Sequence, residues 1–505
     1  MTEKKRRAKA GSLQKKTAAR HKSVSVKKPG KALQAVPEQN RLRKIDDKSF
    51  TIVGIGASAG GLEAFEQFFT HMPSDSGMAF ILVSHLDPTH KSILGDLLRR
   101  YTNMDIFQAE DGMLVKPNCL YLIPPNRDMS ILHGSLQLFE PAMSQGIRHP
   151  IDFFFRSLAE DQGEKAIGVV LSGTGTEGAL GLKAIKGEGG LVLAQEAASA
   201  KYDGMPASAI ATGIIDYVLP PDKMPEQILN YIQRPYSRPL LPVETPTGKS
   251  QDLLQKIFVL IRAQTGHDFS LYKQNTILRR IEKRMAIHQI ERLTDYVTYL
   301  RGNPPETEAL FKELLIRVTN FFRDPEAFEL VKTKILPLLF KNRPVDTPLR
   351  IWVPGCSTGE EAFSLAIIVR EYLHELKKNH KIQIFATDID NSAVEIARAG
   401  VYSESIAVDV SPERLGAFFV KKGSTFKVKE EIREMVVFAA QNLVKDPPFS
   451  RLDMISCRNL LIYLNAELQK KVLPLFGYSL KPDGILFLGS SETIGDHADL
   501  FSVLD

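Results

Sequence analysis

Two short runs in this chain have the residue types and spacing of reaction sites. Gly56-Ala57-Ser58-Ala59-Gly60 follows the apolar stretch Thr51 to Ile55. Val353-Pro354-Gly355-Cys356-Ser357-Thr358-Gly359-Glu360 overlaps the end of the apolar stretch Leu349 to Val353. Each pattern predicts a strand, a tight small-residue turn and a helix start. A serine on such a turn stands exposed at the carboxyl end of a sheet, where N–H groups of the following helix can stabilise an oxyanion. The second turn instead has the form of a cofactor cradle, because its small residues let the backbone come close to a bound group.

A serine hydroxyl needs a base, and the base needs a carboxylate to orient it. His85 ends the apolar run Ala79 to Val83, so it falls at the same sheet edge as Ser58; His90 is on the next turn, and His71 and His149 are less well placed. Leu171-Ser172-Gly173-Thr174-Gly175-Thr176-Glu177-Gly178 follows another strand and offers Glu177 as the acid. Taken alone, that segment reads equally as a phosphate-binding turn or a packing loop. Gly54, Gly56 and Gly60 have GxGxxxG spacing rather than the GxGxxG of a dinucleotide-binding turn. The next strand ends in Val83-Ser84-His85 without a ribose-binding acid, Asp87 lying further on. The second run does have such an acid, because the next strand ends in Phe385-Ala386-Thr387-Asp388-Ile389-Asp390.

Elements that position these residues can be read from periodicity. Strands are expected at 51–56, 79–84, 119–123, 167–171, 191–194 and 215–219, with helices at 61–70, 91–101, 151–161 and 178–188. Seven prolines between Pro220 and Pro246 predict an extended linker at 222–250. Leu253, Ile257, Leu260 and Ile261, then Ile277 and Ile281, then Leu310, Leu314 and Leu315 recur at helical spacing and mark a helical module over 251–342. Strands return at 349–353, 382–386, 435–438, 452–456 and 485–488, with helices at 360–374, 391–399 and 465–476. The expected fold class is α/β: two Rossmann-like doubly wound parallel-sheet domains (49–221 and 343–505), with a small all-helical module before the second.

At 505 residues the chain exceeds one ordinary core, and 43% hydrophobic with 25% charged residues is a globular composition. Its net charge of +6 is unevenly placed. Residues 1–50 hold 16 Lys and Arg against 4 Asp and Glu, a net +12, and the remainder holds 49 against 55, a net −6. The front end, 1–48, lacks apolar periodicity and reads as a disordered, solvated tail or a weak contact for acidic partners. It has no apolar core of a secretory signal. No apolar run reaches the ~18 residues of a spanning helix. Cys119, Cys356 and Cys457 are far apart and odd in number, which implies free thiols in a reducing cytosol. Without CxxC, HExxH or clustered Cys and His, no metal site is expected.

IGASAGG (55–61), VSHLDPTH (83–90), PNCLYLIPPN (117–126), LSGTGTEGALGLKAIK (171–186) and AQEAASAKYDGMP (194–206) together resemble the catalytic domain of CheB, the chemotaxis protein-glutamate methylesterase. That family hydrolyses glutamyl methyl esters with a Ser-His-Asp triad. The resemblance places Ser58 on the nucleophile and His85 on the base. Glu177 stands where the family has Asp. A misplacement of about 1 Å can cost around 100-fold in rate, although Glu serves as the triad acid in some hydrolases. Thr174 stands where Met is common. Residues 1–50 are too short for the receiver domain that usually precedes this esterase.

VTNFFRDPEAF (318–328), GCSTGEEAFSLAI (355–367), FATDID (385–390), AAQNLVKDPP (439–448), DMISCRNLLIYL (453–464) and LKPDGILFLGSSE (480–492) resemble CheR, the methyltransferase that makes the same esters from S-adenosylmethionine. The resemblance implies that Thr319, Arg323, Glu360, Asp388, Asn442, Leu443, Arg458 and Asn459 line the cofactor site. It also puts Arg323 and Tyr463 nearest the methyl group. Arg317 stands where the best-known members have Asn. Arg279, Arg280, Lys283 and Arg284 read as a solvated helix face or, by the resemblance, as a basic surface that meets acidic helices of methyl-accepting receptors. Esterase before transferase resembles the CheB–CheR fusions, which imply a cytoplasmic, bifunctional enzyme without nucleic-acid or membrane-spanning parts. Such fusions often continue into sensory segments, and the end at Phe501 to Asp505, where a last sheet strand is expected, reads as that of a fragment or of a trimmed chain. Glu177 leaves a second reading, a sensory scaffold with an active transferase and an impaired esterase. A small-molecule carboxyl methyltransferase is a third.

Overall fold

The computed structural model describes residues 50–84, 94–140, 149–233, 248–315, 318–495 and 497–504. The basic tail, His85, His90, Arg317 and the proline-rich stretch 234–247 lie outside the described residues.

The first α/β unit contains β1 (Ile52–Ala57), β2 (Ala79–Ser84), β3 (Asp105–Gln108), β4 (Cys119–Leu122), β5 (Asp128–Leu132), β6 (Ser135–Phe139), β7 (Ala166–Val170), β8 (Leu191–Gln195) and β9 (Tyr217–Leu219). β5 and β6 form an antiparallel hairpin. The others make one sheet in the order β3-β4-β2-β1-β7-β8-β9, parallel throughout. Parallel strands are covered on both faces and so carry unbroken apolar runs; β1, β7 and β8 are buried at every residue. Phe154, Phe155 and Leu158 of the helix Pro150–Gln162 pack one face. Phe65, Phe68 and Phe69 of the helix Gly61–His71 pack the other.

Residues 222–250 are not all linker. Met224–Ile232 is a helix whose Met224, Ile228 and Tyr231 join the core of the first unit. The helical module follows as Gly248–Thr265, Gln274–Ile287, Leu293–Gly302 and Pro304–Leu314. It ends earlier than the expected 342, because Phe328, Val331, Leu336 and Phe340 belong to the core of the next sheet.

The second α/β unit holds β10 (Leu349–Pro354), β11 (Ile382–Asp388), β12 (Val401–Ser403), β13 (Phe419–Lys422), β14 (Thr425–Val428), β15 (Val436–Ala440), β16 (Leu452–Cys457) and β17 (Leu480–Leu488). Its parallel sheet runs β15-β11-β10-β16-β17, and β12-β14-β13 form a separate antiparallel sheet. β1 lies between β2 and β7, and β10 lies between β11 and β16. Both are strands at which the order reverses, and ligands of open α/β sheets bind outside the carboxyl ends of such strands. Ser58 directly follows β1, and Gly355 directly follows β10.

The basic helix face is solvated only at Arg279. Arg280 and Lys283 are buried against the first α/β unit, and Arg284 pairs with Glu306. Lys283 Nζ lies 3.2 Å from Asp216 and 3.5 Å from Glu313, and Arg280 lies 3.2 Å from Glu313. Burial by itself would raise the Glu313 carboxyl, but the charges of Lys283, Lys186 and Arg280 outweigh it and hold it well below the usual carboxylate range. Arg279 remains exposed and pairs with Glu164 of the first unit at 3.0 Å.

Candidate active sites

The larger site is a cavity of about 290 Å³ beyond the carboxyl ends of β10, β11 and β16. The turn 355–359 that opens it needs positive φ at Gly355 (71°), Ser357 (47°) and Gly359 (94°). A Cβ on Gly359 would stand 2.8 Å from that of Ala397, so only glycine fits there. Asp388 ends β11, and its carboxylate accepts from Ser357 N–H at 2.8 Å and Asp390 N–H at 2.9 Å. Across the cavity, Arg458 is buried between the Phe328 and Phe487 rings. It donates to Arg323 C=O at 2.8 Å and to Asp324 Oδ2 at 2.6 Å. Those bonds fix the loop that carries Arg323, whose neighbours Phe322 and Asp324 both have positive φ. Glu492 accepts from the N–H groups of Asn459, Leu460 and Leu461 and so holds the opposite turn.

The smaller site is the turn after β1. Ser58 N–H donates to Ser172 C=O at 3.0 Å, and Ser172 Oγ donates to Ala59 C=O at 3.0 Å. The loop 172–178 thus passes beside Ser58 and ends in buried Glu177. Glu177 Oε1 accepts from Ile151 N–H at 2.6 Å, at the start of the helix Pro150–Gln162. Asp152 of that helix returns the exchange, its Oδ1 accepting from Gly181 N–H at 2.7 Å in the helix that follows Glu177. Two carboxylates so cap each other's helices, where the dipoles favour negative charge. Burial, with the Glu177 charge beside it, pushes the Asp152 carboxyl up to about 7. β1 and β2 pair in register as far as Ala57 and Ser84, and His85 lies outside the described residues.

Sequence comparison assigns the same two halves. The family described as CheB methylesterase matches residues 53–228, the CheR methyltransferase all-alpha domain matches 252–315, and the CheR methyltransferase SAM-binding domain matches 317–505. A chemotaxis protein methyltransferase of Borreliella burgdorferi is 30% identical over 50% of this chain and 91% of its own length. The chain belongs to the CheB–CheR fusion proteins. It is 37% identical to an uncharacterized 104.1 kDa protein of Rhodobacter capsulatus, over 81% of this chain and 45% of that protein. The chain therefore spans under half the length of that relative. A crystal structure of the Thermotoga maritima CheB methylesterase catalytic domain is 31% identical over 36% of this chain and 98% of that one, with a TM-score of 0.34.

In the CheR-type half, Thr319, Arg323, Asp388, Asn442, Leu443, Arg458, Asn459 and Tyr463 all line the cavity. Glu360 does not. It faces away, taking hydrogen bonds of 2.8 and 2.6 Å from Thr358 Oγ1 and lying 3.7 Å from Lys183 of the CheB-type half. Glu361 takes the place on the wall. The cavity fits S-adenosylmethionine, the cofactor of this domain. Ser357 Oγ and Gln441 Oε1 are buried, lie at its wall, and have no hydrogen-bond partner among the described residues. His267 and Tyr272, which sequence reasoning did not single out, close it from the helical module. His267 reaches Asn442 at 3.3 Å and Tyr272 at 3.0 Å, and burial followed by the Lys445 charge lowers its imidazole to about 4.

Glu361 sets a pH dependence. Burial pushes its carboxyl up to about 7, against the pull of Ser456, which donates at 2.5 Å, and of Arg458. A ligand with a sulfonium and an ammonium favours the charged carboxylate, so binding is expected to release a proton from Glu361. Affinity for S-adenosylmethionine is expected to rise with pH through about 7 and to level off above it. Titration calorimetry in buffers of different ionisation heat measures the released proton. Glu361→Gln should remove it, and a pH-independent affinity in the natural chain would rule this out.

Proposed function

We propose that the chain methylates glutamate side chains of a protein partner, of the methyl-accepting receptor kind, and hydrolyses the resulting methyl esters. The observation that carries this reading is a pair of sites on one chain. One is a serine turn after β1, and the other is a cavity after β10 with Asp388 on one wall and Arg323 and Tyr463 on another. S-adenosylmethionine, when bound, supplies an electrophilic methyl group. The protein's part is alignment and exclusion of water. Asp388 offers a fixed acceptor pair to ribose hydroxyls. Arg323, pinned through its own C=O by Arg458, presents a guanidinium suited to a substrate carboxylate. Arg323 would hold that carboxylate with one oxygen free toward the methyl group, and the chain would need no general base because a carboxylate carries no proton to remove. Tyr463 walls the same end; burial raises its phenol, so it remains protonated at neutral pH.

Ester hydrolysis would use Ser58 as nucleophile, His85 as base and Glu177 as the acid that orients the base. The N–H groups at the start of the helix Gly61–His71 are the candidate oxyanion donors. One observation favours the second reading, an impaired esterase: Glu177 Oε1 is engaged by Ile151 N–H in the exchange with Asp152.

The test of the transferase reading is Arg323→Ala. Hydrogen bonds to charged groups are worth about 1.5–3 kcal/mol, so kcat/KM for a receptor fragment is expected to fall about 100-fold. Cofactor affinity should fall much less. Transfer of labelled methyl and equilibrium binding are measured side by side. Equal losses in both would remove Arg323 from the substrate end.

A further inference from the structure

The seam between the CheB-type half and the rest of the chain runs along the Arg323 end of the methyltransferase cavity. The helix Ala179–Gly187 begins just after Glu177, and its far end carries the docking groups. Lys186 Nζ lies 2.5 Å from both Asp216 of its own half and Glu313 of the helical module. The carbonyls of Lys186, Gly187 and Gly190 accept from Arg280 at 3.2 Å, Arg280 at 2.8 Å and Lys283 at 2.6 Å. A Cβ added to Gly187 would stand 2.4 Å from Val318 Cγ2. Val318 is a wall residue of the cavity, and its C=O accepts from Arg323 at 3.4 Å. Glu188 is near enough to Tyr463 for its charge to act on the phenol.

A second tie lies on the helix Pro150–Gln162. Arg156 makes a two-pronged pair with Asp409 at 2.7 and 3.0 Å, and Asn320 on the cavity wall reaches the same carboxylate at 3.4 Å. Both ties converge on the segment Val318 to Arg323. Among the described residues, no hydrogen bond or ion pair across the seam involves Asp388, Asn442 or Leu443. Alongside Ala286, which packs into the core of the CheB-type half, the ties across the seam are charges and carbonyls, which water solvates well on separation. Interfaces of this polar kind between domains of one chain commonly open and close.

We propose that the CheB-type half is a docked cover on the CheR-type half, closing the protein-substrate end of its cavity, and that glutamate methylation requires it to undock. This rests on the transferase reading above. Closure acts on the substrate and not on the cofactor. An acidic partner that competes with Glu313 and Asp216 for Arg280 and Lys283 would open it.

The experiment uses the full chain with Arg156→Glu and Lys183→Glu, which break ties without touching Ser58, Arg323 or Asp388. Both pairs have a buried carboxylate, so replacing each cation by Glu sets like charges together and shifts the docking balance toward the open form by about 10-fold or more. Methylation of a receptor fragment is expected to rise in proportion to the open fraction that X-ray scattering reads as a larger radius, while affinity for S-adenosylmethionine is unchanged. Adding Asp409→Arg to Arg156→Glu alone should restore the pair in reverse and return the slow rate, which separates opening from misfolding. Scattering that opens while the rate stays level or falls would overturn the proposal, as would variants that change neither. If cofactor binds but neither closed nor open chain methylates any protein glutamate, the transferase reading fails and the cover falls with it. Equal nonzero rates defeat the cover alone.

Discussion

Asp388→Ala is expected to weaken S-adenosylmethionine binding by about 100-fold or more, because two hydrogen bonds to a charged acceptor are worth about 3–6 kcal/mol together. The site explains why the loss is not recovered elsewhere. Asp388 ends a strand paired in register with both β10 and β15, so its position is set by the sheet. Its carboxylate is oriented by two backbone N–H groups, from the cradle turn and from its own loop. Burial raises its carboxyl, and those N–H groups oppose the rise. Removing it frees Ser357 N–H as well, which loosens the turn. Asp388→Asn keeps the size and one acceptor oxygen, and should lose less. Calorimetry with the two variants checks the order. Equal affinity of Asp388→Ala and the natural chain would mean that the ribose does not sit here.

Ser58→Ala is expected to abolish ester hydrolysis down to the background rate. Removing the nucleophile of a serine hydrolase can cost about a million-fold, and effects within a triad are far from additive. Glu177→Ala should therefore add little to Ser58→Ala, although each alone lowers the rate. Ser58 sits on a turn held by Ser172, and Gly173 packs where a Cβ would meet Ser58 Cβ at 3.0 Å. Alanine at 58 fits the same backbone, so stability should hold while methanol release is lost. A coupled alcohol-oxidation assay on a pre-methylated receptor fragment reads the rate. Unchanged release from Ser58→Ala would place the hydrolysis elsewhere or make it spontaneous.

The central strands and both turns could be read from the sequence because they are continuous apolar runs broken by glycine. Some short, exposed strands could not. β3 leaves Asp105, Phe107 and Gln108 exposed, and β13 leaves Val420, Lys421 and Lys422 exposed, so neither has a buried-strand pattern. The helix Met224–Ile232 was hidden by prolines, yet Pro225 falls in its first turn, where proline costs nothing. Glu360 and Glu361 are neighbours on a helix and point about 100° apart, so only the packed helix decides which one faces the cavity. Arg280 and Lys283 read as surface residues because their acids, Asp216 and Glu313, come from distant segments that only the tertiary fold brings together. His267 and Tyr272 gave no signal for the same reason. Seven of the eight residues that the resemblance assigns to the cofactor site line the cavity, and Glu360 does not.

One measurement tests the closed cycle directly. The natural chain and Ser58→Ala are each incubated with a receptor fragment and S-adenosylmethionine labelled in the methyl group, and the label is followed into protein and into volatile methanol. The account predicts that the natural chain passes label through the protein into methanol, while Ser58→Ala leaves it in the protein as stable ester. Label that enters the protein with the natural chain and leaves no faster than with Ser58→Ala would contradict it, making the front half a cover without an esterase.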